Sequence, residues 1–411
     1  MSASLAATPS TSVRVLKIEN VRVLRQGKLQ RTSLWVVDGK IADPQTRFWT
    51  LSTQQELAPH AVIDGRGCIA SPGFIDIQLN GGFGHDFSNP DITEQQILDV
   101  AQRLVATGVT AFCPTLVSSS ADVYSRVASK YMRTHNAHTR KAANMLGLHL
   151  EGPFISTERK GAHNESVLLA PVDGIVSLEQ RYGALDNVAI ITLAPELEGA
   201  MDTIQALSAK GIVTSAGHSV ADVNTAIEAA DRGLTMLTHV FNAMGPFHHR
   251  DPGLIGLLGL THNRPYYGLI LDGLHSHRTS ARIIRSCHPE GLVLVTDAMA
   301  GLGLAPAEYV LAGERVDVKK NGAFLVGTDT IAGSIVTMDS CVRTLIEYTG
   351  CSIEEALVAA STRPAQVLGI ANRKGTLEFG ADADFVLLND DLHVLHTYIA
   401  GELVFDASTL H

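Results

Sequence analysis

The sequence has no long apolar run, few cysteines and no excess of positive charge, and each absence excludes a class of protein. No stretch reaches the ~18 consecutive apolar residues of a membrane-spanning helix. The five cysteines include no Cys-x-x-Cys pair, which argues against a disulfide framework or a zinc ribbon. A formal net charge of −10 argues against a broad nucleic-acid surface. The first ten residues lack the pattern of a secretory signal, so we expect a cytoplasmic protein with reduced thiols.

Both ends of the chain alternate apolar and polar residues in short segments separated by turn residues. This pattern is seen at residues 13–18 and 33–37, and again at 385–388 and 394–399. It predicts antiparallel strands. Because the two ends share the pattern, we expect them to form one small β-sandwich domain from residues 12–70 and 373–411.

Between residues 71 and 372 the pattern changes to short apolar runs separated by helical segments. Eight runs lie near residues 74–79, 109–113, 145–150, 188–193, 212–216, 235–239, 266–271 and 292–296. Eight strands alternating with helices predict an α/β fold, specifically a (β/α)8 barrel. Ser219 is the expected N-cap of the helical segment 220–231. The less regular residues 307–333 are expected to form a hairpin insertion at the barrel mouth.

Four residues with metal-site chemistry lie at the ends of four of these runs or just after them: Glu151, His218, His239 and Asp297. Side chains at the C-terminal ends of barrel strands meet at one mouth, so these four should converge. Two histidines and a carboxylate form a metal shell that leaves one position for water. A further carboxylate can accept the proton of that water. The pattern predicts a metal-dependent hydrolase.

Several motifs resemble those of a known family. Leu-His-Leu-Glu-Gly-Pro-Phe at 148–154 and Thr-His-Val-Phe-Asn-Ala-Met at 238–244 are similar to segments of the N-acetylglucosamine-6-phosphate deacetylases, a family of the amidohydrolase superfamily. The resemblance implies hydrolysis of N-acetyl-D-glucosamine 6-phosphate to D-glucosamine 6-phosphate and acetate, in amino-sugar catabolism. It also implies that Glu151, His218 and His239 bind the metal and that Asp297 is the general base and acid.

The same resemblance implies which residues hold the substrate. They are Ala162, His163, Asn242, Ala243, Arg250, Asp272, His275, Ile331, Ala332 and Gly333. His163 would polarise the acetyl carbonyl. Arg250 would bind the phosphate in a neighbouring subunit, which implies a homodimer, and a guanidinium suits phosphate oxygens. The alternative for Arg250 is a surface ion pair with Asp251.

Gln78 and Asn80 stand where many amidohydrolases have His-x-His and a second metal. Neutral amides are weak ligands for transition metals, so we expect one divalent ion per subunit. Zinc is the first choice, with iron, cobalt and manganese as alternatives. His149 and His277 are not carried over by the resemblance; we expect His149 beside the pocket and no role for His277.

Two other functions stay open. Another amidohydrolase, such as an adenine deaminase or a cyclic amidase, would share the fold, but the implied phosphate pocket counts against it. A non-catalytic scaffold would be signalled by loss of a metal ligand or of Asp297, and all four residues are present. No Walker-type Gly-rich loop is present, which argues against a nucleoside triphosphate as ligand.

Overall fold

The structure is a computed structural model of a single chain and describes residues 14–46, 59–135, 141–320 and 322–409. Residues 12–13, 47–58 and 410–411 of the predicted terminal domain lie outside the described residues. Within the described ranges, no helix combines the length and apolar character needed to cross a membrane.

Strands and helices are numbered here in chain order. The described strands are β1 (Val15–Arg25), β2 (Lys28–Val37), β3 (Lys40–Ile41), β4 (Ala61–Asp64), β5 (Ile69–Pro72), β6 (Phe74–Leu79), β7 (Gly81–Gly82), β8 (His85–Asp86), β9 (Val109–Val117), β10 (Asn144–Met145), β11 (Leu148–Glu151), β12 (Val188–Leu193), β13 (Val213–Ala216), β14 (Met236–Leu237), β15 (Tyr266–Leu269), β16 (Leu292–Leu294), β17 (Glu308–Leu311), β18 (Glu314–Lys319), β19 (Gly322–Leu325), β20 (Phe385–Leu388), β21 (Val394–Ile399) and β22 (Glu402–Asp406). The described α-helices are α1 (Glu94–Leu104), α2 (Ala121–His135), α3 (Ile175–Tyr182), α4 (Ala200–Ala209), α5 (Val223–Asp231), α6 (Arg278–Cys287), α7 (Met338–Thr349), α8 (Ile353–Ala360) and α9 (Thr362–Val367).

Eight parallel strands form the predicted barrel. In order around it they are β6, β9, β11, β12, β13, β14, β15 and β16. A parallel bridge between Leu79 and Ala298 brings the first strand beside the end of the last, so the barrel is nearly closed. All eight predicted runs coincide with these strands. The agreement has a physical cause, because strands that are covered on both faces are apolar almost throughout.

The helix after β13 begins later than predicted. Its N-cap is Asp222, whose side chain accepts a hydrogen bond from the Thr225 backbone N–H. Ser219 instead donates its hydroxyl proton to Glu196 at 2.7 Å. The Val220 N–H also donates to Glu196, at 2.8 Å, so the chain is held in a loop before the helix starts. The prediction of Ser219 as the cap was therefore wrong.

Strands from both ends of the chain lie in one eight-stranded sheet, in the order β22-β21-β20-β5-β1-β2-β3 with β4 beside β1. The sheet has its own apolar cluster, which includes Ile18, Leu34 and Phe385. The Phe385 and Tyr398 rings stack at 4.5 Å within it. The predicted union of the two termini is present, whereas a two-layer sandwich is not confirmed, since the described terminal strands belong to a single sheet.

The insertion at 307–333 is larger than the expected hairpin. Strands β17, β18 and β19 form a three-stranded antiparallel sheet. The buried Asp86 accepts a hydrogen bond of 2.6 Å from the Ala312 N–H and so anchors the β17–β18 turn. Leu311, Ala312 and Glu314 line the cavity at the barrel mouth, as expected from the predicted location of the insertion.

Candidate active site

Three predicted metal ligands converge at the mouth of the barrel. Glu151 ends β11, and His218 and His239 lie just beyond the ends of β13 and β14. His218 Nε2 lies 3.1 Å from Glu151 Oε1 and 3.1 Å from His239 Nε2. His239 Nε2 lies 3.0 Å from the same glutamate oxygen. Ligand atoms of a tetrahedral zinc site are about 3.4 Å apart, so this buried triangle fits one divalent ion.

The backbone at the strand ends aims these side chains inward. The φ angles of His218, His239 and Asp297 are 51°, 24° and 49°. Residues other than glycine rarely adopt this left-handed region, and such outliers cluster at functional sites. The His218 ring is further oriented by Nδ1, which donates to the Arg159 carbonyl oxygen at 2.8 Å. That bond leaves Nε2 of His218 free for a metal.

Close contacts within the triangle shift the pKa values of Glu151 and His239. Burial acts to raise the pKa of Glu151, but hydrogen bonds from His218 and His239 hold that pKa well below its usual value. Burial acts to lower the pKa of His239, and the contact with Glu151 more than compensates and raises it to about 8. A bound cation would favour the carboxylate of Glu151 and the neutral imidazoles of His218 and His239, because metal ligands bind in their deprotonated forms.

His163 is a second candidate ligand by distance. It offers an atom within 4.8 Å of the ligand atoms of Glu151 and His218. Its Nδ1, however, is bonded to the Ser118 hydroxyl at 2.6 Å. Since His239 lies at 3.0 Å from the Glu151 oxygen, we assign the triangle to His239 rather than to His163. Burial lowers the pKa of His163 to about 3, so its ring is neutral.

Asp297 lies beside this triangle and contacts the two amides of the first strand end. Its Oδ1 accepts hydrogen bonds from Asn80 Nδ2 at 2.7 Å and Gln78 Nε2 at 3.3 Å. Gln78 Nε2 also donates to Glu151 Oε2 at 3.1 Å. Burial, with a further contribution from the charge of Glu151, raises the pKa of Asp297 to about 6. This carboxyl group can therefore exchange protons near neutral pH.

A cavity of about 370 Å³ opens above these residues. Of the predicted substrate contacts, seven line it: Ala162, His163, Asn242, Ala243, His275, Ile331 and Gly333. Asp272 lies behind His275 and accepts from its Nδ1 at 2.6 Å. Ala332 is fully buried beside the lining residues.

Arg250 lies on the surface and does not line the cavity of its own chain. The alternative ion pair with Asp251 is not formed among the described residues. Asp251 Oδ1 instead accepts backbone hydrogen bonds from Val223 at 2.9 Å and Gly253 at 3.3 Å. The exposed guanidinium is thus available to a neighbouring molecule.

Several lining residues were missed at the sequence level. They are Ser118, Glu158, Arg159, Asn164, Glu314, Asp329 and Thr330. The residues at 158–164 surround the predicted His163 and could have been included on that ground. Glu314, Asp329 and Thr330 of the insertion lie in no motif that would have predicted their place at the cavity. His149 lies inside the barrel, where Nε2 contacts Thr192 Oγ1 at 2.7 Å, and His277 caps α6, so neither lines the cavity.

A parallel barrel that brings two histidines, a glutamate and a further aspartate to one cavity has the architecture of an amidohydrolase, and the amidohydrolase family matches residues 69–404. N-Acetylglucosamine-6-phosphate deacetylase of Bos taurus is 49% identical over 401 residues, which are 95% of this chain and 96% of that protein. The enzyme of the same name from Homo sapiens is 49% identical, with 97% of both chains covered. The chain therefore belongs to the N-acetylglucosamine-6-phosphate deacetylase family of amidohydrolases.

A solved structure agrees with this assignment. A variant of the N-acetyl-D-glucosamine-6-phosphate deacetylase from Mycobacterium smegmatis, in complex with N-acetyl-D-glucosamine-6-phosphate, superposes with a TM-score of 0.82. It is 30% identical, and the match covers 96% of this chain and 99% of that one. The similarity therefore extends over the barrel and the terminal sheet together.

Proposed function

We propose that this chain hydrolyses N-acetyl-D-glucosamine 6-phosphate to D-glucosamine 6-phosphate and acetate, a reaction of amino-sugar catabolism. The observation that carries the proposal is the convergence of Glu151, His218 and His239 within 3.1 Å, with Asp297 beside them in one cavity. The names of the relatives, and the sugar phosphate bound to the Mycobacterium smegmatis protein, support it.

The three ligands would hold one divalent cation. Two imidazoles and a carboxylate suit zinc, and iron, cobalt and manganese are alternatives. When bound, such a cation would act as a Lewis acid and lower the pKa of a coordinated water to roughly 7. Gln78 and Asn80 already direct amide N–H groups to Glu151 and Asp297, which disfavours a second cation between these carboxylates.

Asp297 would move the proton of the reaction. Its Oδ1 is occupied by Asn80 and Gln78, whereas Oδ2 receives no hydrogen bond from the described residues. As a carboxylate it accepts a proton from the attacking water. The same carboxyl group returns that proton to the sugar nitrogen as the C–N bond breaks, so that the amine leaves as a neutral group.

The remaining lining residues would hold the substrate. With Nδ1 of His163 bonded to Ser118, its Nε2 remains for the acetyl oxygen. His275, oriented by Asp272, and the segment at 242–243 would contact the sugar and its phosphate. Residues 331–333 would lie against the sugar from the side of the insertion.

Arg250 is proposed to reach the phosphate of a neighbouring subunit. Arg250 is exposed and does not line the cavity of its own chain, which supports this arrangement. The arrangement requires a homodimer. A cytoplasmic location and a division into a terminal domain (12–70 and 373–411) and a barrel domain (71–372) also remain proposals. The separate apolar cluster of the terminal sheet supports the division.

Acetate release by purified protein tests the function. We expect turnover of N-acetyl-D-glucosamine 6-phosphate and only weak turnover of unphosphorylated N-acetyl-D-glucosamine. Adenine and a cyclic amide such as dihydrouracil serve as substrates for the competing amidohydrolase functions, and we expect no turnover of either. Failure to release acetate from the sugar phosphate, in protein loaded with zinc, iron, cobalt or manganese, would contradict the proposal.

A further inference from the structure

Arg159 occupies a firmly held position beside the metal ligands. It ends a short 3-10 helix, Thr157–Arg159, in the loop that leads from β11 to His163. The loop is bonded to His218 at two points. The Ser156 N–H donates to the His218 carbonyl oxygen at 2.9 Å, and His218 Nδ1 donates to the Arg159 carbonyl oxygen at 2.8 Å. These two hydrogen bonds fix the backbone of the loop, and with it the position at the edge of the cavity from which the Arg159 side chain extends.

The cavity is acidic apart from this residue. Its lining includes five carboxylates, those of Glu151, Glu158, Asp297, Glu314 and Asp329. Among the lining residues in the described ranges, Arg159 is the one permanent cation. The carboxylates would repel a doubly charged phosphate. A cation in the same wall would offset part of this repulsion.

The Arg159 guanidinium is also unpaired. No described residue forms an ion pair with it, although other arginines of this chain are paired in two-pronged contacts, as Arg285 is with Glu355. Its Nε atom is buried without a hydrogen-bond partner. Buried donors in proteins nearly always have an acceptor, so an empty one in a ligand cavity indicates where an acceptor of the ligand would lie.

We propose that Arg159 binds the phosphate of the substrate bound in its own subunit. This inference rests on the proposed function and adds a contact to it. A guanidinium can donate two parallel hydrogen bonds to phosphate oxygens, which fits a side chain with an unused Nε. Arg250 would approach the same phosphate from the partner, so the two arginines would act from opposite subunits.

The first test compares Arg159→Met with Lys160→Met, a matched loss of one positive charge in the neighbouring residue, which does not line the cavity. For the phosphorylated sugar we expect kcat/KM to fall by about tenfold to hundredfold in the Arg159 variant. The unphosphorylated sugar should be affected less than about threefold, and Lys160→Met should resemble wild type on both substrates. The bond from His218 goes to the backbone of residue 159, so metal content should be retained.

A second measurement does not depend on turnover. Titration calorimetry measures the binding of D-glucosamine 6-phosphate and of D-glucosamine to each protein. Arg159→Met should bind the phosphorylated sugar at least about tenfold more weakly than wild type does. Arg159→Lys, which keeps the charge but not the two-pronged geometry, should fall between them. If Arg159→Met binds the phosphorylated sugar as tightly as wild type does, the inference is wrong. If wild type releases no acetate, the proposed function is wrong, while the calorimetry still decides the role of Arg159.

Discussion

Asn80 Nδ2 lies 2.7 Å from Asp297 Oδ1, and the neighbouring Gln78 Nε2 lies 3.1 Å from Glu151 Oε2. Two amide N–H groups therefore donate to two buried carboxylates, and their partial positive charges offset part of the negative charge that would attract a second cation. The contact also fixes the rotation of the Asp297 carboxyl group. Its second oxygen is left without a bond from any described residue.

This arrangement predicts a single metal ion. Purified active protein should contain close to one divalent ion per chain in elemental analysis, because Glu151, His218 and His239 supply one complete set of ligands. Removal with a chelator should abolish acetate release, and one equivalent of metal should restore it. A reproducible content near two ions, both needed for turnover, would contradict the prediction.

Replacing Asp297 by asparagine removes the proton acceptor and retains the size of the side chain. We expect kcat to fall by roughly 10²–10⁴-fold, as is usual when a general acid–base group is lost. The metal content should stay near that of wild type, because Asp297 is not one of the three converging ligands. Near wild-type turnover would show that Asp297 has only a structural role.

The pH dependence of activity should report Asp297. Burial, together with Glu151, raises the pKa of this carboxyl group to about 6. The carboxylate is the form that accepts a proton, so kcat/KM should be constant at higher pH and fall on the acid side. Because a bound cation stabilises the carboxylate, we expect this fall below the value of about 6, between about pH 4.5 and 6. Acetate release measured from about pH 4.5 to 8 checks the prediction, and a flat profile would contradict it.

The barrel and the convergence of Glu151, His218 and His239 were predictable from the sequence because both depend on local patterns. The buried strands are nearly continuous apolar runs, and Glu151, His218 and His239 each lie at the end of one or within two residues of its end. Strand ends of a parallel barrel must meet at one mouth, so position along the chain was enough to predict convergence. The pairing of both termini in one sheet likewise followed from their shared alternation.

Other features depend on contacts that no local pattern records. Ser219 has a good capping side chain, yet Glu196, from a different loop, bonds it and delays the helix to Val223. Arg159 lines the cavity from a loop that is bonded back to His218, a contact that its local sequence does not record. The third strand of the insertion and the single terminal sheet are also set by tertiary pairing, which the alternation of residues cannot specify.

Substitution of Arg250 tests both the recognition of the substrate phosphate and the contribution of a neighbouring subunit. Arg250→Ala should lower kcat/KM for the phosphorylated sugar by about tenfold to hundredfold, because a charge-assisted contact is lost. The unphosphorylated sugar never used that contact, so its turnover should change little. Arg31→Ala removes another exposed arginine and serves as the control. Equal losses on both substrates would indicate a folding defect.

A mixture of two impaired variants decides which subunit Arg250 serves. Arg250→Ala and Asp297→Asn chains, exchanged at equal amounts, should give hybrid dimers in which one site combines an intact Asp297 with the partner's intact Arg250. Random exchange makes about half of the dimers hybrid, each with one restored site, so activity should approach roughly a quarter of wild type. Recovery of this size requires the arginine to cross the interface, since no chain in the mixture carries both residues. If the mixture shows only the sum of the two residual activities, Arg250 serves the site of its own chain, and the exposed position seen here would have to change on binding.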